Sequence, residues 1–393
     1  MKIKLVKFKK SFSCDVLIFD DIGASWLSKV VPNSASIGYV STRFSFPILF
    51  HKYFLRRLFV ILLGRIFSRN YNSYYFYLDA LIQSIQPKII VTAADNSVTL
   101  SKISKLHTSI LFVYVQSALR DLYSFQKNVD LPVYCSFGKI EKRLFNDSNI
   151  RVQEYLPIGS VKLGMAMSKE HTSSHMHADI CFISSYRAEK KYSKRRDVWI
   201  NKRIEGIDQL LFLHSIKFAR RSNLSVRVLG KAREDEWQRL EMIHYEKLAD
   251  GFPFEYVQTD NELREYESYY GLLSSGLSIS CGSTLGFEGL SAGKKVLFGA
   301  TMDVNFIDDW GVRYYYSDMP QLISLQQNSF EHFSCKVEYL RDISLDEFLE
   351  VTSSYARQIM HESPIGKPHE MLHQKLEHHL SQNSVLDSHI QLT

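Results

Sequence analysis

The chain has 393 residues and a mass of 45.6 kDa, too long for one compact core and about right for two. Its 45% hydrophobic and 23% charged residues exclude a disordered or fibrous chain. The 48 Lys+Arg against 42 Asp+Glu leave a net +6, which mildly favours anionic partners. No RNP, zinc-finger or helix-turn-helix signature accompanies that charge, so no nucleic-acid partner is expected.

Five cysteines, Cys14, Cys135, Cys181, Cys281 and Cys335, are widely spaced and form no CxxC pair. Reduced thiols in a cytoplasmic protein are expected, without a zinc site or a disulfide framework. The basic N-terminus lacks a long apolar stretch and a small-residue cleavage site, so no secretory signal is expected. The stretch at 44–67, FSFPILFHKYFLRRLFVILLGRIF, is interrupted by His51, Lys52, Arg56, Arg57 and Arg65. Its uncharged runs fall far short of the roughly 20 residues a membrane span needs. It reads as a helix docked on a sheet, or as a basic-aromatic helix lying on the inner membrane surface.

In chain order, DVLIF at 15–19 is a short apolar strand ending in Asp20, Asp21 and Gly23. Helices over 44–67 and 74–85 follow. Pro87 then precedes the buried strand KIIVT at 88–92, which runs into Asp95, Asn96 and Ser97. A helix over 98–106 leads to strands at 110–115 and 132–136. The segment 165–178, rich in Ser, His and Met, has no apolar period and reads as a linker. Its His171, His175 and His177 are expected to be solvated rather than metal-bound, since no ordered acid or thiol accompanies them. The pattern restarts with DICFIS at 179–184, a long helix over 195–221 and SVRVL at 225–229. Further strands follow at 254–257, 276–280 and 295–298. Short apolar runs separated by helical patterns indicate parallel strands joined by βαβ crossovers. Polar residues gather at the strands' carboxyl ends, where open α/β sheets bind ligands. From about residue 341 the chain reads as an amphipathic helix and a His-rich tail.

SISCGSTLGFEGLSAGKKVLF, at 278–298, is the most informative segment. A strand ends at Cys281, and Gly282 permits a tight turn. Ser283 or Thr284 caps a helix whose amides, with Leu285, offer an anion site. Gly286 permits close approach of a ligand. Glu288, one turn in, is suited to accept hydrogen bonds from vicinal ribose hydroxyls, and Gly293 ends the helix. The segment matches neither a Walker loop nor a GxGxxG fingerprint.

STLGFEGLSAGKKVLF resembles the STLGYEALARGKKV block of bacterial surface-carbohydrate biosynthesis proteins, a group that includes retaining β-Kdo transferases of GT-B architecture. DVLIFDDIGASWL, IIVTAADNS, VYVQSALR, FGKIEKRLF, YLPIGSVKLG, DICFISSYR and GKAREDEWQRLEMIHYEKL agree in the same order, over roughly residues 14–300. Ser117-Ala118 departs from the family's usual Asn-Gly after Gln116, and Gly289 and Ser291-Ala292 vary the donor block.

The resemblance implies an α/β fold with two Rossmann-like domains facing across a cleft. An acceptor-side domain would span 1–165, a linker 166–178 and a donor domain 179–345, with C-terminal helices and tail over 346–393. It implies a CMP-Kdo donor, a surface-glycan acceptor (O-antigen, lipopolysaccharide or capsule) at the cytoplasmic face of the inner membrane, and no metal. Ser283 and Thr284 would hold phosphate or carboxylate, helped by the strand-end cations Arg187, Lys231 and Arg233. Retention by double displacement would need a carboxylate nucleophile. Asp235 is the first choice, with Glu234 and Glu241 behind it. Asp95 would be the acceptor-side base, with Asn96, Gln116 and Arg120 beside it, while Glu154 and Asp20 are weaker candidates. Transfer from another nucleotide sugar or CMP-ulosonate, and a non-catalytic assembly role, are the alternatives.

Overall fold

A computed structural model describes residues 5–10, 12–42, 45–67, 73–125, 129–169, 176–186, 195–232, 234–258, 266–361 and 366–390. The described strands are β1 (Leu5–Lys10), β2 (Val16–Phe19), β3 (Ile37–Val40), β4 (Ser45–Phe50), β5 (Ile89–Thr92), β6 (Leu111–Val115), β7 (Asp130–Ser136) and β8 (Arg151–Pro157) in the first half. β9 (Ala178–Ile183), β10 (Val226–Leu229), β11 (Glu255–Val257), β12 (Ser275–Ser280) and β13 (Lys295–Phe298) make up the second.

Two parallel sheets result. The first runs β3-β2-β5-β6-β7-β8 and the second β11-β10-β9-β12-β13, while β1 and β4 pair in a two-stranded ribbon. Each sheet is covered on both faces, which is why its strands read as unbroken apolar runs. Alternation with period two divides each run between two cores. Leu17, Phe19, Ile90, Phe112 and Tyr114 pack on one side of the first sheet, and Val16, Ile18, Ile89, Val91, Val113 and Val115 on the other. The chain is an α/β protein with two Rossmann-like sheets.

The last helices tie the halves together. Helix Leu345–Ile359 leaves the second sheet's core, and the backbone N–H groups of Lys139 and Ile140 donate to the Gln358 carbonyl at 3.0 and 3.2 Å. Contact is so close that a Cβ on Gly138 would sit 2.2 Å from that oxygen. Helix Pro368–Ile390 then buries Leu372 and Leu376 among Val16, Ile18 and Val161 under the first sheet. Lys375 bonds Glu154 at 2.7 Å in the same contact, which makes Glu154 a docking group.

Two expectations are corrected. The stretch 44–67 is not one helix: β4 occupies its start and helix Lys52–Phe67 its remainder. Among the described residues β4 pairs only with β1, so one of its edges carries no ladder and Pro47 is tolerated. The proposed linker begins inside helix Val161–Ser168, which Ser160 caps, and β9 starts at Ala178. Of its histidines, His171 and His175 lie outside the described residues. The amphipathic helix expected from about 341 onward forms as Leu345–Ile359, with a further helix at Phe330–Asp342 before it.

Candidate functional site

In each sheet the chain builds outward one way, then returns to the other side of its first strand. The switch point of the first sheet lies between β2 and β5, and that of the second between β9 and β12. Neighbouring connections leave such a point on opposite faces, so a crevice opens at the strands' carboxyl ends. The two crevices meet in one cleft of about 1020 Å³. Its walls carry Asp21–Trp26 after β2, Ala93, Ala94 and Asn96 after β5, Ser184 after β9, and Ser283–Leu285 after β12.

Two helices of eight residues begin in this cleft. Ser160 caps Val161–Ser168, its hydroxyl accepting from Leu163 N–H at 3.2 Å. Ser283 caps Thr284–Ser291 and accepts from Leu285 N–H at 3.3 Å. Each start carries roughly half a positive charge. Glu288 joins them: its buried carboxylate accepts from the Ser160 hydroxyl and, at 2.9 Å, from Tyr269. Lys162 lies 5.3 Å over the Tyr269 ring, and Lys231 also lines the cleft. The cleft thus gathers two helix starts and two lysines, facing the carboxylates of Asp21 and Glu288.

Several expected residues line it: Asn96, Gln116, Arg120, Lys231, Ser283, Thr284, Leu285 and Glu288. Gln116 is buried; its amide nitrogen donates to Glu141 at 2.9 Å, and its oxygen accepts from Phe137 N–H at 2.8 Å. Asn96 is exposed and donates to the Ser124 carbonyl at 3.2 Å. The Thr284 hydroxyl accepts from Leu119 N–H at 3.1 Å, a bond across the cleft. Arg187 and Arg233 lie outside the described residues.

The two glycines serve packing rather than ligand approach. A Cβ on Gly282 would lie 2.2 Å from the Tyr316 hydroxyl, and one on Gly286 would lie 3.1 Å from Ser280 and Phe298.

The four acids expected to react are placed elsewhere. Asp95 is fully buried: Arg120 grips both its oxygens, Nε at 3.0 Å from Oδ2, and Tyr134 donates to it at 2.7 Å. A carboxylate so occupied is an anchor, not a base for an acceptor hydroxyl. The same pairing raises the Arg120 pKa further above its ordinary value, despite burial. Glu241 is fully buried and accepts from Lys231 N–H at 2.9 Å, Ala232 N–H at 2.8 Å, Tyr256 at 3.0 Å and the Ser184 hydroxyl. It shapes the loop after β10. Glu234 and Asp235 are exposed at the start of helix Asp235–Ala249, outside the cleft lining. Glu234 accepts there from the Trp237 indole at 3.1 Å.

Asp21 stands in the cleft instead. Asp20 before it has φ 74°, a left-handed conformation that Asp tolerates better than most residues. This kink ends β2 and turns Asp21 outward, where it accepts from the Ser41 hydroxyl.

A family profile described as "putative O-antigen biosynthesis protein" matches residues 146–364, more than half of the chain. The chain belongs to this O-antigen biosynthesis family. Its matched segment runs from before Ser160 through Glu288 and so carries both helix starts. No curated protein matches the chain. Among solved structures, a "putative UDP-N-acetylglucosamine 2-epimerase from Listeria monocytogenes" is similar at 11% identity, with a TM-score of 0.50 over 95% of this chain and 97% of that one. At that identity the likeness concerns the fold. The wall teichoic acid polymerase TagF has 9% identity and a TM-score of 0.48, over 94% and 89% of the two chains. A glycosyltransferase from Rickettsia africae has 13% identity and a TM-score of 0.43, over 99% and 98%.

Two further acids of this O-antigen biosynthesis protein stand behind the cleft wall. Glu141 accepts from Gln116 and, at 3.2 Å, from Tyr315 of the second half. Asp208 accepts from Tyr245 and from Ser185 N–H, both at 2.6 Å. Burial pushes each carboxyl up to about 7.

Proposed function

We propose that this protein is a glycosyltransferase of surface-glycan assembly that moves a 3-deoxy-ulosonic acid, Kdo, from its CMP ester to a glycan acceptor. The observation that carries the reading is the pair of capped helix starts lining one cleft, one after β12 at the second sheet's switch point and one after β8 at the first sheet's edge. Such a donor presents a phosphate and a carboxylate side by side. Two helix starts with Lys162 and Lys231 match that pair without a metal. The CMP and Kdo assignments rest on the sequence resemblance, and Glu288 keeps its assignment to the ribose.

The reacting carboxylate is reassigned to Asp21, which lines the same cleft as the Thr284 helix start. In a retaining transfer its oxygen attacks the anomeric carbon while the C–O bond to phosphate breaks and CMP leaves with the electron pair. The acceptor hydroxyl then displaces Asp21 from the same carbon, its proton passing to the CMP phosphate. Two inversions restore the configuration.

Thermal shift and turnover test both halves. CMP is expected to raise the melting temperature and UDP to leave it unchanged. Asp21→Asn is expected to keep the CMP shift and lose roughly a thousandfold or more in turnover. A shift with UDP alone would reject the cytidylate donor, and full turnover in Asp21→Asn would reject Asp21. The product's anomeric configuration, read by NMR, separates a nucleophile from a general base.

A further inference from the structure

Helix Lys52–Phe67 carries its apolar stripe on the wrong side for a docked helix. Phe54 and Ile61 are buried against the first sheet's outer core. On the opposite side Leu55, Phe59, Val60 and Leu63 are 42, 62, 48 and 38% exposed. With Lys52 and Arg56, also exposed, they fall at spacings of three and four, a single continuous stripe along the helix. An outward face of four large apolar side chains is unusual for a soluble surface and marks an interaction site.

Its charge identifies the partner. Between Asp21 and Asp79 the chain contains no Asp or Glu. Residues 1–78 hold 12 Lys+Arg against three Asp, a surplus of nine, whereas the whole chain carries +6, so residues 79–393 are net −3. The basic side chains of the stripe stand at the helix start, and strand register places exposed Lys10 opposite Phe50, two residues before Lys52. Among the described residues no helix is long and apolar enough to cross a membrane. Apolar side chains flanked by cations, on a helix that cannot span, match the interface of an anionic bilayer.

We propose that the Leu55–Phe59–Val60–Leu63 face docks on an anionic lipid surface, with Lys10, Lys52 and Arg56 at the headgroups. This docking does not depend on the donor or the reaction, and its test contains no sugar.

Flotation of the full chain with phosphatidylglycerol-containing vesicles and with pure phosphatidylcholine vesicles tests it. The protein is expected to float with the first and stay below with the second, and salt is expected to weaken the binding. Phe59→Ser with Val60→Ser should reduce partitioning at least tenfold, an expectation from the apolar area removed. Lys52→Glu with Arg56→Glu should abolish the preference for the anionic vesicles. These positions are exposed and their replacement leaves the core intact, which an unchanged melting temperature checks. Equal flotation with both vesicles, or flotation unaffected by either double variant, overturns the proposal. So does a dimer in sedimentation that Phe59→Ser with Val60→Ser dissociates while vesicles bind nothing, since the stripe would then serve a second copy of this chain.

Discussion

At the scale of single residues, the decisive distinction is between carboxylates that are occupied and those that face space. Asp95 looks reactive in the sequence because it follows a strand end, and Glu241 because it shares the acid-rich segment after SVRVL. Arg120, 25 residues from Asp95, takes up the first, and the loop at Lys231–Ala232 takes up the second. Spacing along a chain cannot reveal such partners. Glu288 sits between these extremes, holding Ser160 and Tyr269 while still lining the cleft. Glu288→Ala leaves two hydroxyls without their acceptor, which costs about 1–3 kcal/mol where the group stays buried. It is therefore expected to lower the melting temperature and weaken CMP binding together. Asp235→Ala, at an exposed helix start, should leave turnover within about twofold of the parent, since surface changes of this kind shift stability by only a few tenths of a kcal/mol. Side-by-side melting curves and initial rates separate the two; turnover lost only in Asp235→Ala would return the nucleophile to that helix.

At the scale of elements, the turn from β12 into helix Thr284–Ser291 shows how local chemistry and packing divide the work. The Ser283 cap is legible as a strand–Gly–Ser–Thr sequence. The reason for Gly282 is not, because the group that excludes a side chain there is the Tyr316 hydroxyl, 34 positions on. Among the described residues that hydroxyl is buried without a hydrogen-bond partner. Gly282→Ala should destabilise the protein by about 1–3 kcal/mol through overpacking. Tyr316→Phe alone should be close to neutral, since it removes an unsatisfied group. Combined with Gly282→Ala it should recover most of the loss, and denaturant midpoints of the four proteins give the coupling. Additive losses would show that the clash lies elsewhere.

The same contrast explains which strands could be read. β2, β5, β6, β9, β10 and β12 are runs buried on both faces and announce themselves. β8, with exposed Arg151 and Gln153 at a sheet edge, does not. β4 contains Pro47 and flows into a helix of similar composition. The cleft's second helix start was missed because Ser160 stands in an ordinary-looking Gly-Ser turn, and its meaning comes from Glu288, 128 residues later.

At the scale of the whole molecule, the halves meet at a group whose charge depends on pH, Glu141. Glu141 of the first half accepts from Tyr315 of the second, which itself accepts from Arg120 N–H at 3.1 Å. Burial moves Glu141 from 4.5 up to about 7, and Asp208 from 3.8 up to about 7. A raised carboxyl favours the folded state only while it stays protonated. Below its ordinary value both states hold the proton and burial carries no penalty. As pH rises from there to about 7 the unfolded chain releases protons that the folded chain retains, and stability falls; above about 7 the loss is complete. Glu141 alone should therefore remove roughly 2–3 kcal/mol between about pH 5 and about pH 8, from the free-energy equivalent of its shift. Glu141→Gln retains an acceptor for Tyr315 and cannot ionise, so its unfolding free energy should fall less over that interval than the parent's. Denaturant titrations of both proteins at the two pH values measure the difference. Parallel losses in the two proteins would mean that Glu141 is already ionised in the folded chain at the lower pH, and that the junction between the halves is wetter than its packing indicates.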